Sequence, residues 1–423
     1  MASSKLAAST VATLACLVVT IMYTRQWRRR KSARTTPCRP KGGVLEAIGN
    51  TPLIKIRSLS EATGCEILGK AEFLSPGGSV KDRVAVQIIE EALKSGKLQV
   101  GGLITEGSAG STAISLAMVA AAYGCRCHVV IPDDAAVEKA QILEALGAVA
   151  ERVRPVSISH KEHFVNIARR RAELAETTHK AQLHASNGNE AVTISLKKNN
   201  VSDGRSTSCP QPEDVCKGGY FADQFENLAN FRAHYEGTGP EIWGQTGGKL
   251  DAFVAAAGTG GTIGGVSQFL KEKNKKIKCF LIDPPGSSLY NRVTRGVMYS
   301  QEEAEGKRLK NPFDTITEGI GINRLTQNFK LALLDGAFRG TDREAVEMAR
   351  FLVRKEGLFL GSSSAMNCVG AYRVAQMLGP GHTIVTILCD SGLRHLSKFY
   401  NNDYLAKLNL TPTAINLEFL NSN

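Results

Sequence analysis

The chain has 423 residues, 43% of them hydrophobic and 41 of them glycine, which suits one large or two ordinary globular domains and excludes a fibrous or disordered chain. Its net charge is +12, yet Met1–Lys41 holds nine basic residues and no acidic one, leaving +3 for the remainder. The body is therefore near neutral and shows no basic-plus-aromatic repeat, so no nucleic-acid partner is expected.

The first predicted element is an apolar helix over Leu6–Thr24. Nineteen residues at about 1.5 Å each span roughly 28 Å, close to the hydrocarbon thickness of a bilayer. Tyr23 and Trp27 lie at its C-terminal edge, where amphipathic rings favour the interface, and the basic cluster Arg25–Lys31 follows. A cleavable secretory signal has the reverse charge bias, and a matrix presequence is amphipathic and Arg-rich from its start. The pattern predicts a single-pass anchor with the body in the cytosol, in the mitochondrial outer membrane or, alternatively, the endoplasmic reticulum. Residues 1–41 thus form an anchor and basic tether, with Thr35–Gly43 rich in Pro and Gly.

From Val44 onward, strand-like and helical runs alternate, which predicts an α/β architecture with mainly parallel strands. Strands are expected at Glu66–Lys70, Leu103–Thr105, Cys127–Ile131, Ala252–Ala256, Lys278–Ile282 and Thr383–Leu388. Helices are expected at Ala113–Tyr123, Ala136–Leu146, Phe164–Glu176, Gly265–Lys273 and Arg343–Glu356. Asn187–Gly219 lacks periodicity and reads as a surface insertion. The ten cysteines are scattered, as expected in a reducing compartment, and Cys125-Arg-Cys127-His128 sits in a strand-like run that favours burial over metal binding.

Three segments carry chemistry. In Ser75-Pro-Gly-Gly-Ser-Val-Lys81-Asp-Arg83 a lysine stands in a small-residue turn where a helical pattern begins. Shielded in a pocket, its amine can form an imine with an aldehyde. Ser108-Ala109-Gly110-Ser111-Thr112-Ala113 places hydroxyls and free amides between a strand and a helix, an arrangement suited to a carboxylate. Gly258-Thr259-Gly260-Gly261-Thr262, also between strand and helix, suits a small phosphomonoester; it does not match a nucleotide P-loop. An aldehyde, a phosphate and an amino acid together point to pyridoxal 5′-phosphate.

These segments fall in order among Gly49-Asn-Thr-Pro-Leu53, Gln224-Phe225, Thr238-Gly-Pro-Glu-Ile-Trp243, Gly319-Ile-Gly321 and Gly361-Ser-Ser-Ser364. Over roughly residues 43–400 the chain resembles the cysteine synthase branch of the tryptophan-synthase-β (fold type II) superfamily, and most of all its membrane-anchored fungal members. The resemblance implies two αβα subdomains, the smaller about 82–222 and the larger about 42–81 with 223–400, followed by a tail over 401–423. It implies pyridoxal phosphate as cofactor, with Lys81 holding it and moving the Cα proton. Gly258, Thr259, Gly260, Gly261 and Thr262 take the phosphate, Ser363 faces the pyridine nitrogen, and Ser111 lies beside the phenolic oxygen. Ser108, Ala109, Gly110, Thr112 and Gln224 hold the substrate carboxylate. The implied reaction makes L-cysteine and acetate from O-acetyl-L-serine and sulfide, in a homodimer. A neutral serine at the ring nitrogen leaves a weaker electron sink than a carboxylate would and favours β-elimination. The chain departs from the usual T-S-G-N-T-G at 108–113 and from the usual asparagine at Ser75. Alternatives are β-replacement of the cystathionine β-synthase kind, or a tethered cofactor-binding protein with weak or lost catalysis.

Overall fold

The structure, a computed structural model, describes residues 42–108, 110–156, 158, 160–187, 217–300 and 315–420. The chain separates into two units, Met1–Gly43 and Val44–Asn423. Of the first, only Gly42 and Gly43 are described, so the expected anchor Leu6–Thr24 lies outside the described residues, as do Ala109 and most of the expected insertion. Among the described residues no helix is long and apolar enough to cross a membrane.

Two sheets organise Val44–Asn423. The larger runs β1 (Leu53–Lys55), β2 (Glu66–Ala71), β10 (Thr383–Leu388), β7 (Ala252–Ala255), β8 (Lys278–Asp283) and β9 (Gly336–Arg339), parallel except for β1. The smaller runs β5 (Val149–Val153), β4 (Arg126–Pro132), β3 (Leu103–Gly107) and β6 (Gly219–Phe221), all parallel. Parallel strands need crossovers, and the helices that supply them cover both faces. On the larger sheet, Phe253, Leu281 and Val385 pack against Ile263, Val266 and Leu270 of the helix Gly261–Lys273. Their neighbours Val254, Ile282 and Ile384 face the opposite way, onto the helices Asp342–Glu356 and Ser362–Leu378. The alternation of side chains along each strand thus builds a three-layer core. On the smaller sheet, Ile104, Cys127, Val129 and Ile131 meet the helices Lys81–Lys94 and Ser111–Ala122. Val130 turns to the helix Phe164–Asn187, whose Ala168 carbonyl accepts from Thr105 Oγ1 at 2.8 Å.

The expected strands and helices are present within a few residues of their expected ends, with informative differences. The helix from Phe164 continues to Asn187, and Gly219 opens β6 beside β3, so both ends of the expected insertion are regular structure. The helix Ser362–Leu378 was not anticipated because it is buried nearly all round and so lacks an amphipathic stripe. Residues 401–420, marked off by the sequence as a tail, dock Leu405 and Leu420 into the core. Cys125 and Cys127 are buried, and His128 pairs with Glu151 at 2.9 Å.

Candidate active site

A cavity of about 460 Å³ opens at the C-terminal ends of β3, β7 and β10, where open parallel sheets present their loops. It is lined by Lys81, Ser108, Gly110, Ser111, Thr112, Gln224, Gly258, Thr259, Gly260, Thr262 and Ser363. Gly261 is buried just behind it. Of the sequence-derived site residues, only Ala109 is left undescribed.

Lys81 is the first residue of its helix, and the turn before it is fastened to the end of β10. Val80 N–H donates to the Cys389 carbonyl at 2.8 Å, and Ser79 bridges to Asp390. A side chain at Gly77 would strike the Asp82 carboxylate, and Gly78 has φ +78°, so the turn can approach its neighbours only as glycine. Burial pushes the Lys81 ammonium below the ordinary lysine pKa, partly offset by Cys389 and Asp390.

Four helices start at this cavity: Lys81–Lys94, Ser111–Ala122, Gly261–Lys273 and Ser362–Leu378. None has a side-chain cap, whereas Asp342–Glu356, which starts elsewhere, has a full capping box from Thr341 and Glu344. The last three bring backbone N–H groups and the positive end of a helix dipole to the cavity, the setting in which anions bind, whereas the first N–H groups of the Lys81 helix donate to Ser79. The glycines of the 258–262 loop also have packing reasons. A Cβ at Gly258 would meet the Gly319 carbonyl at 2.2 Å, one at Gly260 (φ +87°) would meet Phe329, and one at Gly261 would lie 1.9 Å from Asn230 Oδ1. Asn230 Nδ2 donates to Thr259 Oγ1 at 2.9 Å and fixes that side chain. Thr262 Oγ1 lies 3.1 Å from Nε2 of His234, which burial keeps neutral.

The 108–112 loop and Gln224, distant in sequence, meet directly: Thr112 Oγ1 donates to Gln224 Oε1 at 2.6 Å. Beneath them Glu106 accepts from Gln224 N–H at 3.2 Å, and burial pushes its carboxyl up to about 8. Ser111 Oγ donates to Asp390 Oδ2 at 3.1 Å. Burial opposes the charge of Asp390, but His395, Arg394 and Lys139 hold its carboxyl below the usual range. Ser363 touches the Cys389 thiol, which burial raises to about 12.

The sequence reading missed Glu106, Lys139, Glu318, Cys389, Asp390 and His395, all at or beside this cavity. A signal existed for two of them. Cys389 and Asp390 directly follow the predicted strand Thr383–Leu388, at the end of a parallel strand where sites form.

The residues present suit pyridoxal phosphate: a shielded amine for its aldehyde, uncapped helix ends for its phosphate and a buried hydroxyl for its ring. The family described as "Pyridoxal-phosphate dependent enzyme" matches residues 44–390, and the chain belongs to that family. Within it the chain falls among the cysteine synthases. It is 50% identical over 374 residues to "Cysteine synthase 2" of Schizosaccharomyces pombe, covering 88% of this chain and 86% of the relative. It is 47% identical to the "Putative mitochondrial cysteine synthase" of Saccharomyces cerevisiae, covering 86% and 84%. A solved O-acetylserine dependent cystathionine beta-synthase from Helicobacter pylori superposes with a TM-score of 0.64 at 30% identity, covering 85% of this chain and 99% of that one.

Proposed function

We propose that this chain is a pyridoxal-phosphate-dependent cysteine synthase that forms L-cysteine and acetate from O-acetyl-L-serine and sulfide. The observation that carries the reading is the meeting of the Lys81 amine with four uncapped helix N-termini in one cavity. When bound, pyridoxal phosphate supplies the aldehyde that Lys81 engages and the electron sink that makes a substrate Cα–H acidic. In this reading Gly258–Thr262 hold the phosphate through backbone amides and the Thr259 and Thr262 hydroxyls. Ser363 meets the ring nitrogen as a neutral hydroxyl, and Ser111 stands beside the phenolic oxygen. Ser108, Ala109, Gly110, Thr112 and Gln224 receive the substrate carboxylate, which orients Cα toward Lys81. Lys81, its pKa lowered by burial, takes the Cα proton; acetate leaves from the β-carbon and sulfide adds there. The two lobes, about 82–222 and 42–81 with 223–400, frame the cleft, and a homodimer belongs to the same reading by resemblance.

The test is direct. The loaded full chain should show visible cofactor absorbance, which O-acetyl-L-serine should alter and sulfide restore as cysteine accumulates. Lys81→Ala should abolish both the absorbance of the lysine-bound form and cysteine formation. An unaltered protein that binds the cofactor but makes only a thioether from homocysteine, or nothing, overturns the assignment.

Leu6–Thr24 with its basic flank is proposed as a single-pass anchor in the mitochondrial outer membrane, leaving the body in the cytosol. The S. cerevisiae relative's name supports a mitochondrial setting. Protease added to intact mitochondria should digest the body and leave matrix markers whole; recovery of the chain with endoplasmic reticulum membranes would favour the alternative.

A further inference from the structure

Glu106 stands one residue before the end of β3 and is fully buried, which is unusual for a glutamate outside an ion pair. Its Oε2 accepts from the Gln224 N–H at 3.2 Å, and its Oε1 is buried without a hydrogen-bond partner. Among the described residues two titratable groups face it. Asp223, next to Gln224, has its carboxyl 3.4 Å from Arg169 Nη2, and Cys127 of β4 carries a thiol that burial keeps protonated. Neither supplies a positive charge to Glu106, and burial favours its neutral form.

The Gln224 backbone is fixed, because its carbonyl accepts from Asn230 Nδ2 at 2.9 Å and Asn328 Nδ2 at 3.3 Å. Its side-chain amide is free to turn. As found, Oε1 accepts from Thr112 Oγ1 at 2.6 Å, and the donor half of the amide lies against the Glu106 carboxyl. A hydroxyl has one proton, so Thr112 and Gln224, both assigned to the substrate carboxylate, are engaged with each other rather than with the cavity they line. A half-turn of the amide brings Nε2 to the Thr112 side and releases the hydroxyl proton for a ligand. The same half-turn carries Oε1 to Glu106. A carboxylic acid can donate to that oxygen, whereas a carboxylate repels it and repels an incoming carboxylate as well.

We propose that Glu106 is a positioning residue of the carboxylate subsite, holding the Gln224 amide turned toward an incoming amino acid only while it is the neutral acid. The inference rests on the reading that Thr112 and Gln224 receive the substrate carboxylate. It is tested without turnover, by titrating the visible absorbance of the loaded full chain with two amines. L-2-Aminobutyrate has the cysteine skeleton with a methyl group in place of the thiol; propylamine is the same skeleton without the carboxylate. The ratio of their dissociation constants, each corrected for ionisation of the free amine, isolates the carboxylate. In the unaltered protein L-2-aminobutyrate should bind the tighter at pH 7, and its constant relative to propylamine should rise about tenfold by pH 9 as Glu106 ionises. Glu106→Gln, whose amide donates at every pH, should keep the preference and hold the ratio flat. Glu106→Leu, which donates nothing, should lose the preference for the carboxylate at every pH. A merely structural role would shift both amines alike. A flat ratio in the unaltered protein, or the same rise in Glu106→Gln, overturns the role of Glu106. Failure of the subsite reading looks different, as equal affinities for the two amines at every pH, and failure of the cysteine synthase reading appears as no cysteine from the unaltered protein.

Discussion

At the scale of single residues, the cavity is governed by which groups stay neutral and which stay charged. Glu106 and Cys389 are pushed up to about 8 and about 12 by burial, so at neutral pH a largely protonated carboxyl lies against Gln224 and a thiol against Ser363. Asp390, one residue beyond Cys389, stays ionised because His395, Arg394 and Lys139 surround it. The departure at Ser111 acquires a physical sense here. Its hydroxyl donates to Asp390, so the residue that opens the Ser111–Ala122 helix is bound to the end of β10 as well as exposed to the cavity. Ala109, the other departure in that loop, lies outside the described residues.

At the scale of elements, the sequence landmarks Asn50-Thr51, Lys81–Arg83 and Thr238–Trp243 turn out to be one buried polar cluster. Arg83 reaches Glu72 at 2.7 Å, Glu241 at 2.6 Å and Thr51 at 3.2 Å, and Lys70 joins Glu241 at 2.6 Å. The cluster anchors the first turn of the Lys81 helix. Arg83→Met leaves two carboxylates facing one another with only Lys70 to offset them, and should cost on the order of 3–5 kcal/mol, read as a lower denaturation midpoint. How much of this was legible follows from the signals themselves. Strands with continuous apolar runs, such as Thr383–Leu388, and amphipathic helices, such as Asp342–Glu356, announced themselves through period and composition. The short strands β1, β5, β6 and β9 contain no fully buried residue, and so lack the buried apolar run that marks the equally short β3 and β7, while the helix Ser362–Leu378 has no exposed face to create a period. The loops around Lys81, Gly258 and Ser108 were legible because glycine and hydroxyl residues cluster at strand-to-helix turns. The ion pair between Lys139 and Glu318, which lines the cavity, was not, because only folding brings residues 179 positions apart together.

At the scale of the whole molecule, opposing sets of buried groups shape its response to pH. Glu241 is held down to about 2, chiefly by Arg83 against the cost of burial, so its contribution is present above about 4.5 and lost as pH falls toward 2. Burial depresses His163 from 6.5 to about 4, which removes further stability as pH falls through that interval. Glu106 and Asp283 act in the opposite sense. Burial raises their carboxyls from 4.5 to about 8 and from 3.8 to about 7, so their contribution is full below the lower values and is lost as pH rises from the lower to the upper ones. The urea midpoint should therefore peak near pH 4.5, where the acid-side losses at Glu241 and His163 balance the losses at Glu106 and Asp283, and decline on both sides; a midpoint that climbs steadily to pH 8 would contradict this account.

The four uncapped helix ends have a consequence beyond catalysis. They begin beside both sheets, so one anionic ligand seated among them would bond to elements of each. A ligand that binds the folded chain alone stabilises it by mass action, in proportion to the logarithm of its concentration. The lifetime of this protein in a cell should then track the supply of a vitamin, and a shortage of that vitamin would shorten it as well as slow turnover.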